Sequence, residues 1–136
     1  MIGQTLSFGG GGVMSNHNIA FGSFIEKRRK AKQLSMRKMA KLLGITPAYL
    51  SDIEKGRRYA PDKEKLFEIS RILVLSEEER DEMFDLAGQT KGEIPPDLQE
   101  YIINKDIVKI ALRIANKNNA SDKDWEVFIK NLMKNQ

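Results

Sequence analysis

The sequence predicts an all-α chain, and three observations carry that prediction. Apolar residues recur at spacings of three and four along most of the 136 residues, the period of a helix with one buried face. Ser35, Thr46, Asp62 and Ser76 each stand directly ahead of such a stretch, where a side-chain oxygen can accept from an otherwise unpaired helical N–H. Gly44, Gly56, Gly88 and the pair Pro95-Pro96 punctuate the periodic stretches, as helix stops do.

Taken in order, residues 1–18 show no helical period and contain the run Gly9 to Gly12, so they read as a flexible N-terminal segment. Met14 is the expected natural start, and the stretch ahead of it a tag or an over-extended frame. A first helix is expected over Ile19 to Gln33, with Ile19, Phe21, Phe24, Ile25 and Ala31 on one side and basic residues on the other. Ser35 caps a second helix that ends at Leu43, and Leu34 just before it is a packing residue. After Gly44, Thr46 and Pro47 open a third helix that stops near Lys55, since proline loses nothing in a first turn. Pro61 and Asp62 open a fourth, with Leu66, Phe67, Ile69, Ile72 and Leu73 facing inward. Ser76 and Glu79 form a capping box for a fifth, which carries Met83, Phe84, Leu86 and Ala87. Three more helices are expected, over residues 97–104, 107–116 and 122–134.

Ala40, Gly44, Leu50 and Ile53 are the most informative residues. Their spacing puts a small residue where two helices cross, a glycine in the turn and two apolar residues on the buried side of the second helix, which is helix-turn-helix geometry. Charge coincides with it. Residues 19–59 hold eleven Lys or Arg against three acids, residues 60–100 five against twelve, and residues 101–136 seven against four. A basic block over the helix-turn-helix is what phosphate neutralisation requires.

From about Phe24 to Gly88 the sequence resembles the lambda repressor and Cro-like (Xre) family of helix-turn-helix regulators. The resemblance rests on the string Leu34-Ser-Met-Arg-Lys-Met-Ala-Lys-Leu-Leu-Gly-Ile-Thr-Pro-Ala-Tyr-Leu-Ser-Asp-Ile-Glu-Lys-Gly-Arg-Arg58. It implies an all-α, five-helix lambda-repressor-like DNA-binding domain over residues 19–88, a linker over 89–96 and a helical C-terminal extension over 97–136. It also implies that the third helix enters the major groove and reads bases through Pro47, Ala48, Tyr49, Ser51 and Asp52. Met36 and Pro47 stand where many relatives carry glutamine, and neither can make the amide's bonds to phosphate or adenine.

Arg57 and Arg58, just past the third helix, are the foremost candidates for phosphate contact, followed by Arg37 and Lys38 and then by Arg28 and Lys32 on the first helix. Asp52 faces repulsion from phosphate unless it accepts from a cytosine amine or pairs with a neighbour such as Arg58. In the extension, Trp125, Phe128, Ile129 and Leu132 form an apolar face that something must cover, and they are candidates for a dimer or partner interface.

The chain has no Cys and one histidine, His17 in the N-terminal segment, so neither metal site nor cofactor is expected. The cores of nucleophile-elbow, Walker and zinc-protease motifs are absent, so no enzyme and no catalytic residue is expected. Apolar runs are too short to span a bilayer, and the chain reads as cytoplasmic with no membrane partner. The expected function is sequence-specific regulation of transcription, as a repressor, by a homodimer on a palindromic operator in double-stranded DNA. Two alternatives share the fold: an antitoxin that represses its own operon and binds a toxin through the C-terminal helices, and a protein-binding adaptor that has lost DNA contact.

Overall fold

The computed structural model describes residues 5–7 and 13–135, and the Gly9 to Gly12 run lies outside the described residues. The fold is all-α, preceded by a short antiparallel ribbon. In the ribbon β1 (Thr5–Ser7) pairs with β2 (Val13–Ser15), Leu6 opposite Met14. The helices are α1 (Asn16–Ala31), α2 (Met36–Leu43), α3 (Pro47–Glu54), α4 (Lys63–Ile72), α5 (Glu77–Lys91), α6 (Pro96–Ile103), α7 (Asp106–Lys117) and α8 (Asp122–Met133).

Capping explains most of these boundaries. Ser35, Thr46 and Asp62 accept from the backbone N–H three residues on, at 3.0, 3.0 and 2.9 Å. Ser76 and Glu79 close the expected capping box, and Ser121 with Asp124 closes a second one ahead of α8. The first helix starts three residues before the expected Ile19, because Ser15 accepts from the Asn18 N–H at 3.1 Å and so caps it. His17 therefore lies in the first turn of α1 rather than in a tail.

Gly88 does not stop α5. The helix continues to Lys91 and ends at Gly92, which is left-handed at φ +64°. Gly88 is glycine for another reason: a Cβ there would lie 2.7 Å from the Glu93 carbonyl oxygen and 3.0 Å from Pro95, where the chain folds back over the helix.

The core is built from α1 to α5 and the residues joining them. Phe21, Ile25, Met39, Ala40, Leu50, Leu66, Ile69 and Met83 are fully buried in it, and Leu34, Tyr49, Phe67 and Leu86 pack at its margin. The Phe67 and Phe84 rings meet at 4.9 Å. Helix α1 packs on α3 and α5, and α2 on α3 and α4. At about 25 cal/mol per Å² of apolar surface, burial of this kind is the main stabilising contribution. The chain divides into two compact units, one ending at Gln99 and one beginning at Glu100. In α6, α7 and α8 no residue is buried. Among the described residues no helix is long and apolar enough to cross a membrane.

Candidate nucleic-acid interface

Helix α3 is held by its buried side. Leu50 and Ile53 are inaccessible, Ala40 of α2 is equally buried, and Gly44 turns the chain at φ +69° with the Ile45 N–H donating to the Ala40 carbonyl at 3.0 Å. Nothing lies within 4 Å of where a Gly44 side chain would begin, so conformation alone requires glycine there. The ammonium of Lys65 donates to the Leu43 carbonyl at 2.8 Å, satisfying an orphan acceptor at the end of α2.

Two contacts that periodicity does not reveal hold the C-terminal end of α3. Arg29 lies in the basic run Lys27-Arg28-Arg29-Lys30, yet its guanidinium is buried. Its Nε and Nη2 donate to the Glu54 carboxylate at 2.6 and 2.9 Å, and Nη1 donates to the Leu34 carbonyl at 2.8 Å. One side chain thus joins α1, the α1–α2 turn and α3. The hydrogen bonds to Glu54 raise the Arg29 pKa above its ordinary value, against the opposing effect of burial. Gly22 of α1 is the second contact, since a Cβ there would collide with the carbonyl oxygens of Ile53 and Glu54. The readable signal is Glu54 itself, an acid four residues after the buried Leu50 and hence on the same side of the helix.

The opposite side of α3 is open. Pro47 and Ala48 are exposed, and Tyr49, Ser51 and Asp52 are half-buried. Past the helix, Gly56 at φ +78° turns the chain back, and the Arg57 N–H donates to the Asp52 carbonyl at 2.9 Å. The strand of chain then re-enters the core at Ala60, whose N–H donates to the Thr90 hydroxyl at 3.1 Å. Arg57 and Arg58 therefore sit on a short strap pinned at both ends. The structure brings four of the sequence-predicted residues together there. Asp52 Oδ1 lies 3.6 Å from Arg57 Nη1, Asp52 Oδ2 lies 3.6 Å from Arg58 Nε, and the Arg58 guanidinium sits 4.7 Å above the centre of the Tyr49 ring.

Arg37 and Lys38 are exposed in the first turn of α2. Arg28 is placed elsewhere: its Nε lies 3.3 Å from Glu79 Oε2 and its guanidinium 4.9 Å over Phe24, toward α5. Lys32 is exposed just past α1 and acts on the same Glu79. The Glu79 carboxyl is held below its ordinary value, first by the Ser76 N–H and more weakly by Arg28 and Lys32. On α8 the Trp125 and Phe128 rings meet edge to face at 5.9 Å, and these two residues with Ile129 and Leu132 remain 37 to 54% exposed. Among the described residues no cluster of His, Asp or Glu could hold a metal ion.

Residues 25–79 match the family model described as helix-turn-helix. Over 54 residues the chain is 48% identical to the ImmF control region 10 kDa protein of Bacillus phage phi105, a match covering 40% of this chain and 56% of that protein. Over 57 residues it is 39% identical to an uncharacterized HTH-type transcriptional regulator of Mycobacterium tuberculosis, covering 42% of this chain and 40% of that protein. The chain thus spans about half the length of the relatives it matches. The restriction-modification controller protein C.AhdI from Aeromonas hydrophila superimposes with a TM-score of 0.41 at 26% identity, over 46% of this chain and 88% of that one.

Proposed function

We propose that this chain, whose residues 25–79 match the helix-turn-helix family model, is an Xre/Cro-type regulator that binds double-stranded DNA in a sequence-specific manner and represses transcription as a homodimer on a palindromic operator. The observation that carries the reading is the two-sided character of α3: Leu50 and Ile53 are locked in the core while Pro47, Ala48, Tyr49, Ser51 and Asp52 stay accessible on the other side. Inserted in the major groove, that side meets base edges. Arg37, Lys38, Arg57 and Arg58 neutralise phosphates and set register, and Lys32 just past α1 adds to the basic field, whereas Arg28 is paired with Glu79. The family is one of binding proteins rather than enzymes.

A single α3 spans too few base pairs to select an operator, so a second copy is needed, with half-sites about one helical turn apart. We assign its contact to the helical extension. Trp125, Phe128, Ile129 and Leu132 of α8 are open there, and Ile107, Ile110 and Ile114 form a second open apolar row on α7. This is a five-helix DNA-binding domain with a C-terminal dimerisation region. The toxin-masking and adaptor readings gain no observation of their own.

Selection of bound duplexes from a random pool tests the proposal, because it reads DNA binding, half-site spacing and base preference together. For roughly six phosphate contacts per dimer, the logarithm of affinity should fall against the logarithm of salt with a slope near about −5. Replacing Arg57 and Arg58 together by alanine should flatten that slope and weaken all duplexes alike. A wild-type chain that holds no duplex above the non-specific level would refute it.

A further inference from the structure

The cluster at the end of α3 gives Tyr49 and Asp52 a different part from base reading. We propose that they are positioning residues for Arg58, holding its guanidinium ready for a DNA phosphate, so that Tyr49 acts on DNA through Arg58 and not by touching a base. The inference rests on the DNA-binding reading above.

The geometry is specific. Arg58 is 54% exposed and would ordinarily sample many rotamers, losing that freedom when it docks on a phosphate. Here one face of its guanidinium lies 4.7 Å over the Tyr49 ring, and its Nε edge is turned to Asp52 Oδ2 at 3.6 Å. Tyr49 is itself held, since its N–H donates to the Thr46 hydroxyl at 3.0 Å and its side chain packs on the core margin. The ring is therefore a fixed platform, and the face it offers is taken by Arg58, leaving that face closed to a thymine methyl. Asp52 divides its two oxygens between Arg57 and Arg58, so the acid that would repel phosphate instead gathers the two arginines. The remaining guanidinium nitrogens of Arg58 are left to bind a phosphate oxygen. The backbone supports the arrangement from below through the strap pinned at Asp52 and at Thr90.

Two measurements on the full chain test this, one without DNA. In the free protein, NMR should find the Arg58 side-chain protons displaced upfield by the Tyr49 ring. That displacement should persist in Tyr49→Phe, diminish in Asp52→Asn and vanish in Tyr49→Leu. With DNA, the probes are the duplex recovered by selection and an unrelated duplex of the same length. Tyr49→Phe should bind both within about twofold of wild type, and Tyr49→Leu should weaken both alike by about two- to fivefold, the scale of an exposed cation–π contact. In an Arg58→Ala background, Tyr49→Leu should cost nothing further. The proposal is overturned if the displacement is absent in the free chain. It is equally overturned if the loss is confined to the selected duplex and survives in the Arg58→Ala background, because Tyr49 then reads a base. A wild-type chain with the displacement but no duplex binding fails at the DNA-binding reading instead, and takes the role in DNA contact with it.

Discussion

Arg29 and Asp97 are both charged groups withdrawn from water, and the structure treats them oppositely. Arg29 has three of its nitrogens hydrogen-bonded, two of them to Glu54. Arg29→Met would leave the buried Glu54 carboxylate without its counter-charge and should cost about 3–5 kcal/mol in denaturant unfolding, while adding Glu54→Leu should recover most of the loss. Asp97 has no such partner: its buried Oδ1 accepts no hydrogen bond among the described residues. Desolvation raises its pKa above the ordinary 3.8 and Asp81 and Asp85 raise it further, only partly offset by a backbone hydrogen bond at Asp97 and by the charge of Arg80. A carboxyl whose pKa is higher folded than unfolded contributes stability below the unfolded value and loses it as pH rises through the folded one. At neutral pH the ionised Asp97 is therefore a liability. Asp97→Asn should stabilise the fold at pH 7 by up to about 1 kcal/mol for so partly exposed a group, read as a higher urea midpoint, and the gain should vanish near pH 3. Neither environment is legible in the sequence, where Arg29 stands in a basic run and nothing beside Asp97 marks it as withdrawn from water.

At the scale of elements, what is local in the chain was readable and what is tertiary was not. Ser35, Thr46, Asp62 and the Ser76–Glu79 box act where the sequence put them, because a cap is a contact between residues three apart. The apolar rows of α2 to α5 met the core for the same reason of period. The candidates on α3 and the strap are legible as positions off the buried face, with Tyr49, Ser51 and Asp52 half-buried, but the gathering of Tyr49, Asp52, Arg57 and Arg58 depends on the turn at Gly56. Gly22 carries no local signal and Gly88 reads as a helix stop, because each is small to admit another stretch of backbone that only the fold brings near. Alanine substitutions separate the two uses of glycine. Gly44→Ala meets no atom but adopts φ +69°, and should cost about 1–2 kcal/mol. Gly22→Ala meets two carbonyls at an ordinary φ, and should cost about 1–3 kcal/mol or more and loosen α3 from α1. Amide exchange should show it, with protection lost at the end of α3 only in Gly22→Ala. Val74 is the converse case, a β-branched residue at φ +50° just past α4 and 68% exposed. Val74→Gly loses little packing, relieves that strain and should stabilise the fold by about 1 kcal/mol, read as a higher thermal midpoint.

For the whole molecule, the distribution of apolar surface argues for a second copy. Residues up to Gln99 bury most of their large apolar side chains in one core and leave single ones such as Leu42 and Val74 open, whereas α7 and α8 bury none and leave Ile107, Ile110, Ile114, Phe128, Ile129 and Leu132 between 49 and 69% exposed. Helices of 12 residues are marginal in water without packing, so a covered state of α7 and α8 is strongly favoured. The proposed homodimer would supply the cover and would also join two α3 helices into one binding unit. Joining two half-site contacts multiplies affinity by about 10²–10⁴ without adding any contact to DNA. Trp125→Ser combined with Phe128→Ser, made in the full chain, attacks the proposed interface on its edge-to-face pair. The double variant should sediment as a monomer and bind the palindromic duplex at least about a hundredfold more weakly, with little change on a single half-site. Its core between α1 and α5 contains neither residue and should keep its unfolding midpoint. A variant that remains dimeric would place the contact between copies on another surface. A variant that turns monomeric yet keeps full affinity for the palindrome would show that two copies meet only on DNA.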